Sequence, residues 1–253
     1  MNRIEMMNFS KLDYACNEAM NTLCTNLFYC GDNIRSVLVT SRHEQEGKSS
    51  VAINMLRTIA GCGKRVVLVD ADLRRSYIAS RYGFRHEETE NQWGLAHYLA
   101  GMASETDIVY ATNFEGAYVV PVGRTVTNAL PLLNSARLKS LLQHLSQQFD
   151  YVLVDAAPVG TVIDAAQIAK SCDGTLLVVN YNSVRRQELI EVQNQLNQTG
   201  TPIIGTVLNM VEFDTLMSKK YYYKSYYKSY YTRDAYVKGS GKKKKSDKQK
   251  EQN

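Results

Sequence analysis

The sequence lacks the features that would place it in a membrane, in an oxidising compartment or around a zinc ion. It has no long apolar run and its first eleven residues are polar, so we expect neither a transmembrane helix nor a signal peptide. Its five cysteines are scattered without a CxxC pair, and its four histidines show no metal-ligand spacing. These absences argue against a disulfide framework and a zinc site, and they favour a cytoplasmic protein with reduced thiols.

Negative charge is scarce only at the C-terminal end. Residues 214–253 contain 12 Lys and Arg against 4 Asp and Glu, a net charge of +8, whereas residues 1–213 contain 18 against 21, a net charge of −3. From residue 218 onward, Val237 is the only branched aliphatic residue, so no core can form there. We therefore predict a disordered, Tyr- and Lys-rich tail over residues 217–253.

The rest of the chain alternates between apolar runs and segments of helical periodicity. Strands are predicted at residues 36–41, 66–70, 118–121, 151–155, 174–180 and 203–208. Helices are predicted at residues 10–29, 49–60, 93–100, 136–148, 163–171 and 185–198. Continuous apolar strands that alternate with helices predict an α/β fold, a mostly parallel sheet with helices on both faces.

A phosphate-binding loop is predicted between the first long strand and the helix that follows it. Residues 41–50 read SRHEQEGKSS, and GKS between a strand and a helix is the core of a Walker A loop. In such a loop Lys48 contacts the β- and γ-phosphates, and the Ser49 hydroxyl binds Mg²⁺. Arg42 replaces the first glycine of the strict pattern, so a chance GKS at a helix start is the alternative.

Two further strands end in aspartate. Asp70 and Asp72 follow the strand VVLVD with a spacing that lets both face one site, and Asp155 ends the strand YVLVD in the manner of a Walker B motif. A P-loop site needs one carboxylate for Mg²⁺ and another for the proton of an attacking hydroxyl. A turn-capping role is the alternative for either strand alone. Both strands together with GKS predict a P-loop NTPase that binds ATP and Mg²⁺.

At this point the sequence resembles the bacterial tyrosine kinases of the CpsD/CapB group, which serve capsule and exopolysaccharide synthesis. SRHEQEGKS is similar to the family's Walker A form S-x-x-x-x-E-G-K-S, and VDADLRR resembles its second Walker motif, A′. VLVDAAPVGTVIDA, at residues 152–165, resembles its Walker B segment. The resemblance implies a helical segment at residues 1–34, a P-loop kinase domain at residues 35–216 and the tail at residues 217–253.

The resemblance also implies roles for single residues. The implied catalytic residues are Asp70, Asp72 and Lys48. The implied nucleotide-binding residues are Glu46, Gly47, Lys48, Ser49, Ser50 and Asn209. The implied Mg²⁺ ligands are Ser49, Asp70 and Asp155. Arg74 and Arg75 either neutralise phosphate, contact another subunit or cap the turn, and Ser76 stands where proline commonly follows the two arginines.

The partners implied by the resemblance are a membrane-embedded activator of the polysaccharide co-polymerase type, further copies of the chain in a ring, and a cognate tyrosine phosphatase. The activator would recruit the protein to the inner face of the cell membrane. The family's ring motif E-x-x-R-x-x-R is reduced here, because Glu18 is followed by Asn21 and Cys24 in place of the two arginines.

The tail contains eight of the chain's 17 tyrosines, and we interpret them as phosphoacceptors. They are Tyr221, Tyr222, Tyr223, Tyr226, Tyr227, Tyr230, Tyr231 and Tyr236. Each phosphate adds a charge of about −1.5 to −2, so a few of them would cancel the positive charge of the tail. The alternatives are contact with nucleic acid through Lys and Tyr, or adhesion of residues 242–245 to anionic lipid. We favour a solvating or membrane-surface role for the lysine run and give nucleic acid a minor share.

Two rival functions remain open. The first is a ParA/MinD-like P-loop ATPase switch, a class that carries a signature lysine early in the loop. Alignment on Gly47 and Lys48 puts His43 at that place, which weighs against the switch. The second is a weakly active nucleotide-binding regulator of polysaccharide export.

Overall fold

The computed structural model of the chain describes residues 2–86, 92–181 and 183–211. The strands are β1 (Arg3–Met6), β2 (Ser36–Ser41), β3 (Val66–Asp70), β4 (Phe84–His86), β5 (Tyr110–Thr112), β6 (Ala117–Val120), β7 (Tyr151–Asp155), β8 (Gly174–Asn180) and β9 (Ile203–Asn209). The helices are α1 (Tyr14–Phe28), α2 (Lys48–Gly61), α3 (Ile78–Arg81), α4 (Leu95–Leu99), α5 (Glu105–Ile108), α6 (Leu130–Leu133), α7 (Ala136–Gln148), α8 (Asp164–Ala169) and α9 (Arg186–Asn197).

All these strands belong to one sheet with the order β4-β1-β5-β6-β3-β7-β2-β8-β9. The segment from β6 to β9 is parallel throughout, and antiparallel pairs occur where β1 meets β4 and where β5 meets β6. In the β3–β7 pair, Asp70 lies opposite Asp155. Because parallel strands end at the same edge of the sheet, this register brings the two aspartates side by side.

The sheet is covered on both faces, as its continuous apolar strands require. Val67 and Val69 of β3 face a core that includes the leucines of α7, whereas Val66 and Leu68 face a second core that includes the apolar residues of α2. This alternation follows from the two-residue period of a strand. The predicted α/β class, a mostly parallel sheet with helices on both faces, is therefore confirmed.

The N-terminal segment differs from its prediction. Helix α1 begins at Tyr14 and not at residue 10, because Asp13 is the N-cap and its carboxylate accepts a hydrogen bond from Cys16 N at 2.7 Å. Strand β1 precedes it and pairs with β4 and β5, so residues 1–34 are not purely helical.

Several elements match the predicted bounds closely, the other predicted elements lie within a few residues of them, and the short elements β1, β4, β5, α3, α5 and α6 were not predicted. β2, β3, β7, β8 and α7 begin and end at the predicted residues. The limits of the kinase domain, residues 35–216, stay a prediction, and the predicted disordered tail with its tyrosine cluster lies outside the described residues. Within the described residues, no helix combines the length and the apolarity that crossing a bilayer requires.

Candidate phosphate-binding and carboxylate site

The loop between β2 and α2 depends on the left-handed conformation of Gly47 and on a hydrogen bond from Asn209. Gly47 is the N-cap of α2 with φ +86°, a left-handed conformation that favours glycine. A Cβ on Gly47 would lie 2.2 Å from Asn209 Nδ2. That amide nitrogen donates to Glu46 O at 2.9 Å. Asn209, at the end of β9, is thus seated directly against the loop.

The Glu46 side chain forms a hydrogen bond within the loop. Its side chain is buried, and its Oε2 accepts a hydrogen bond from His43 N at 2.9 Å. Its Oε1 accepts a longer bond from Ser183 Oγ at 3.5 Å. The Glu46 carboxylate therefore fixes the path of residues 43–46, whereas the amides at the start of α2 are the groups of this loop that are suited to bind phosphate.

Lys48 lies between two of the predicted aspartates. Its Nζ is 3.2 Å from Asp72 Oδ2 and 3.8 Å from Asp155 Oδ2. Ser49 Oγ donates to Asp155 Oδ2 at 2.6 Å. The structure therefore brings Lys48, Ser49, Asp72 and Asp155 together where β2, β3 and β7 end.

Asp70 joins this group from the end of β3. The Ser76 hydroxyl donates to Asp70 Oδ2, which leaves the other carboxylate oxygen, Oδ1, buried without a hydrogen-bond partner among the described residues. Asp155 Oδ1 is likewise buried and unpartnered there. Buried polar oxygens of this kind need an explanation, and a bound cation or substrate supplies one.

The electrostatics of the site show an excess of negative charge. Burial, and then the adjacent Asp155 carboxylate, raise the pKa of Asp70 to about 8, although the hydrogen bond from Ser76 acts in the opposite direction. Burial also raises the pKa of Asp155 against the opposing influence of Lys48 and Ser49. For Lys48, burial lowers the pKa, but the carboxylates of Asp155 and Asp72 outweigh it and the pKa is raised.

The residues present fit a Mg²⁺ ion that arrives with a nucleotide. Their donors are oxygens, the ligands that Mg²⁺ prefers, and two of them are the unpartnered Oδ1 atoms of Asp70 and Asp155. Within the described chain, no group of three or more His, Cys, Asp or Glu side chains is arranged as a complete metal site. This agrees with the way proteins usually hold Mg²⁺, through one or two carboxylates, waters and the phosphates of the substrate.

The remaining predicted residues have other surroundings. Ser50 lies in α2, where its carbonyl accepts a hydrogen bond from Asn54. Arg75 reaches across to the loop, with Nη1 3.1 Å from Glu44 Oε2. Arg74 forms an ion pair with Asp164, and its predicted role in binding phosphate, contacting a subunit or capping the turn stays a prediction. The eight tail tyrosines lie outside the described residues.

Sequence reasoning missed Ser76 and the pairing of Asp164. Ser76 was visible as a departure from the expected proline, yet the departure alone gave no partner for its hydroxyl. Asp164 lies within the quoted Walker B segment, but nothing in that segment indicates the arginine that contacts it.

Comparison with known proteins identifies related sequences and related folds. The family model described as an AAA domain matches residues 37–205. Tyrosine-protein kinase CpsD of Streptococcus pneumoniae is 35% identical over 195 residues, which cover 77% of this chain and 84% of that protein. The kinase domain of the Escherichia coli tyrosine kinase ETK superposes with a TM-score of 0.72 at 28% identity, covering 79% of this chain and 77% of that one.

A likeness of fold alone extends to a second class of protein. The septum site-determining protein MinD from Pyrococcus horikoshii, solved with Mg-ADP, superposes with a TM-score of 0.59 at 24% identity. It covers 69% of this chain and 70% of its own. This chain therefore shares its fold with MinD.

Proposed function

This chain belongs to the family of bacterial tyrosine-protein kinases that includes CpsD, and on that premise we propose that it phosphorylates the tyrosines of its own C-terminal tail. The protein is a nucleotide-binding tyrosine kinase. The finer proposal concerns its substrate, its metal and its regulation. We propose that ATP with Mg²⁺ is the phosphoryl donor and that tail phosphorylation regulates capsular or exopolysaccharide synthesis.

The observation that carries the proposal is the convergence of Lys48, Ser49, Asp70, Asp72 and Asp155 where three parallel strands end. Lys48 would contact the β- and γ-phosphates, with the amides of the loop around them. A bound Mg²⁺, held by Ser49 and Asp155 with Asp70 beside them, would neutralise charge on the phosphate oxygens. Asp72 holds Lys48 in position through their 3.2 Å contact.

Asp70 is the proposed general base. Its Oδ2 is fixed by Ser76, and its Oδ1, which has no hydrogen-bond partner among the described residues, would accept the proton of an incoming phenol. The phenolic oxygen then bonds to the γ-phosphorus while the bond to the β–γ bridging oxygen breaks. ADP leaves with the electron pair, and the proton stays on Asp70.

The tail suits the role of substrate by composition. It offers tyrosines between lysines without an aliphatic core pattern, and tethering it to the kinase raises its effective concentration. We propose that phosphorylation reverses its charge and so switches its docking on membrane or partner. A membrane-embedded activator, further copies of the chain and a phosphatase are the partners that this scheme requires.

The test is phosphotyrosine formation by the purified full chain with ATP and Mg²⁺, with and without a cognate activator fragment. Lys48→Met and Asp70→Asn should each reduce the signal more than a hundredfold, because they remove the phosphate contact and the base. Asp70→Asn keeps the volume of the side chain, so it reports on chemistry if Lys48→Met fails to fold. Phosphopeptide mapping should place the phosphate on residues 221–236.

Two other outcomes of this experiment would favour the alternative functions. ATP hydrolysis without phosphotyrosine would favour the MinD-like switch, which the fold allows. Nucleotide binding with neither activity would favour the weakly active regulator. The surroundings of His43 weigh against the switch, since its Nε2 lies 3.7 Å from Glu188 Oε1 and thus points to helix α9.

A further inference from the structure

Arg74 makes a two-pronged contact with a buried carboxylate on another element. Its Nε and Nη2 donate to Asp164 Oδ2 and Oδ1 at 2.5 and 3.1 Å, and its Nη1 donates to Thr127 O at 3.1 Å. The Asp164 side chain is only 2% exposed. This is the fork geometry in which an arginine binds a carboxylate with both direction and strength. Three of the five guanidinium N–H groups thereby have partners within the chain, and the Arg74 side chain is 34% exposed.

The contact joins three segments of the chain. Arg74 follows Asp72 in the loop after β3, Asp164 begins helix α8 in the chain after the Walker B strand, and Thr127 lies between β6 and α6. A second hydrogen bond joins the loop after β3 to the loop between β6 and α6, because Val126 N donates to Leu73 O at 2.7 Å. The loop that carries Asp72 is therefore held by contacts of Leu73 and Arg74, the two residues that follow Asp72.

Asp72 depends on this loop more than its neighbour Asp70 does. Asp70 is the last residue of β3 and is held by the sheet, whereas Asp72 lies beyond the strand. The loop is bonded to the sheet at Ala71, whose N–H donates to Asp155 O at 2.8 Å, and Arg75 N donates to Asp72 Oδ1 at 3.1 Å. Between these two points the loop is bonded to other segments by the Arg74 side chain, which contacts helix α8, and by Leu73 O, which accepts from Val126 N.

We propose that Arg74, through its ion pair with Asp164, is a positioning residue that holds the loop of Asp72 and thereby the ammonium group of Lys48. The inference rests on the proposed function for its catalytic consequence, because Lys48 Nζ lies 3.2 Å from Asp72 Oδ2. Loosening the loop by a fraction of an ångström misplaces the lysine during phosphoryl transfer, and errors of about 1 Å in such groups cost about a hundredfold in rate.

The decisive variants are Arg74→Lys, Asp164→Asn and the two combined, all in the full chain. Lysine keeps the charge but loses the fork, so kcat should fall at least tenfold while KM for ATP stays within threefold. The combined variant should be no slower than the worse single variant, because the two residues act as one unit. Arg137→Lys is the matched control: Arg137 also bonds a carbonyl, Tyr98 O at 2.9 Å, and should leave kcat unchanged.

A second measurement does not depend on activity. Hydrogen exchange at the Val126 amide should become at least tenfold faster in Arg74→Lys and stay unchanged in Arg137→Lys. If the parent chain yields no phosphotyrosine but this exchange is accelerated, the proposed function fails and the positioning role of Arg74 stands. This readout also serves if Asp164→Asn does not fold.

Three results would overturn the inference. An increase in KM for ATP at constant kcat would make Arg74 a phosphate ligand. Losses in the two single variants that multiply in the combined one would show that Arg74 and Asp164 act separately. Unchanged exchange at Val126 in Arg74→Lys would show that the ion pair does not hold the loop.

Discussion

At the scale of single residues, the phosphate loop depends on one glycine for two separate reasons. The φ of +86° at Gly47 costs a residue with a side chain about 1–2 kcal/mol, and a Cβ there would meet Asn209 Nδ2. Gly47→Ala should therefore displace Asn209 and weaken ATP binding at least tenfold, measured by titration calorimetry.

Gly63→Ala serves as the control, because it introduces the strain of a positive φ without a contact to Asn209. Gly63 has φ +76°, yet a Cβ there would have no heavy atom of the described residues within 4 Å, so the substitution carries backbone strain without a clash among them. It should lower the free energy of unfolding by about 1–2 kcal/mol and leave ATP binding as it is. Equal losses of ATP binding in the two variants would refute the role of Asn209.

A second residue-scale prediction concerns Ser76. Its hydroxyl donates to Asp70 Oδ2, and hydrogen bonds to charged groups contribute about 1.5–3 kcal/mol. Ser76→Ala should reduce kcat for phosphotyrosine formation about tenfold or more, because the base loses its fixed orientation, while the dissociation constant for ATP changes less than threefold. Ser80→Ala is the control, since the Ser80 hydroxyl donates to the carbonyl of Tyr77 and not to Asp70. A kcat unchanged in Ser76→Ala would contradict the role given to this hydroxyl.

At the scale of elements, helix α7 shows how packing stabilises one face of the sheet. Leu138, Leu141, Leu142 and Leu145 are all buried, with the three- and four-residue spacing of one helix face. Leu141→Ala should lower the free energy of unfolding by about 2–5 kcal/mol in a urea titration. Gln143→Ala, at an exposed position of the same helix, should change it by less than about 0.5 kcal/mol. Similar losses in the two variants would mean that the leucine face is not what α7 contributes.

The same scale shows what the sequence could predict and what it could not. Long apolar strands and amphipathic helices carry their own signal, so β3, β7 and α7 were predicted to the residue. Strands β1, β4 and β5 were missed because they are three or four residues long and read RIEM, FRH and YAT. Such segments become strands through their neighbours at the sheet edge and not through their own periodicity.

Some features of the candidate site could likewise be predicted from the sequence, and others could not. Lys48, Asp70 and Asp155 follow from local motifs, because a strand end or a helix start determines where each side chain must lie. The contact of Arg74 with Asp164 joins residues 90 positions apart in the sequence, and the bond of Asn209 to Glu46 spans 163. Only the folded arrangement of the sheet brings such partners together. The sequence motifs therefore predict the charged residues of the site but not the hydrogen bonds and ion pairs that position them.

At the scale of the whole molecule, charge is divided between residues 1–213 and the C-terminal segment that we propose as substrate. Residues 1–213 carry a net charge of −3 and residues 214–253 a net charge of +8. With about −1.5 to −2 per phosphotyrosine, four or five phosphates would neutralise residues 214–253. Phosphorylation should therefore weaken adhesion of the full chain to vesicles containing phosphatidylserine, and the loss should shrink as salt screens the charges.

The final prediction tests whether the tail is the substrate. Replacing all eight of its tyrosines by phenylalanine should remove at least 90% of the phosphotyrosine formed, because hydroxyl acceptors are lost while the ring surfaces and the charge of the tail are kept. ATP binding should stay unchanged, since the substitutions leave Lys48, Asp70 and Asp155 in place. Tyr14, Tyr29, Tyr77 and Tyr181 are exposed on the described part of the chain and provide the internal comparison. If mass spectrometry found the phosphate on these four in both proteins, with residues 221–236 unmodified in the parent chain, the tail would not be the acceptor, although the kinase site would stand.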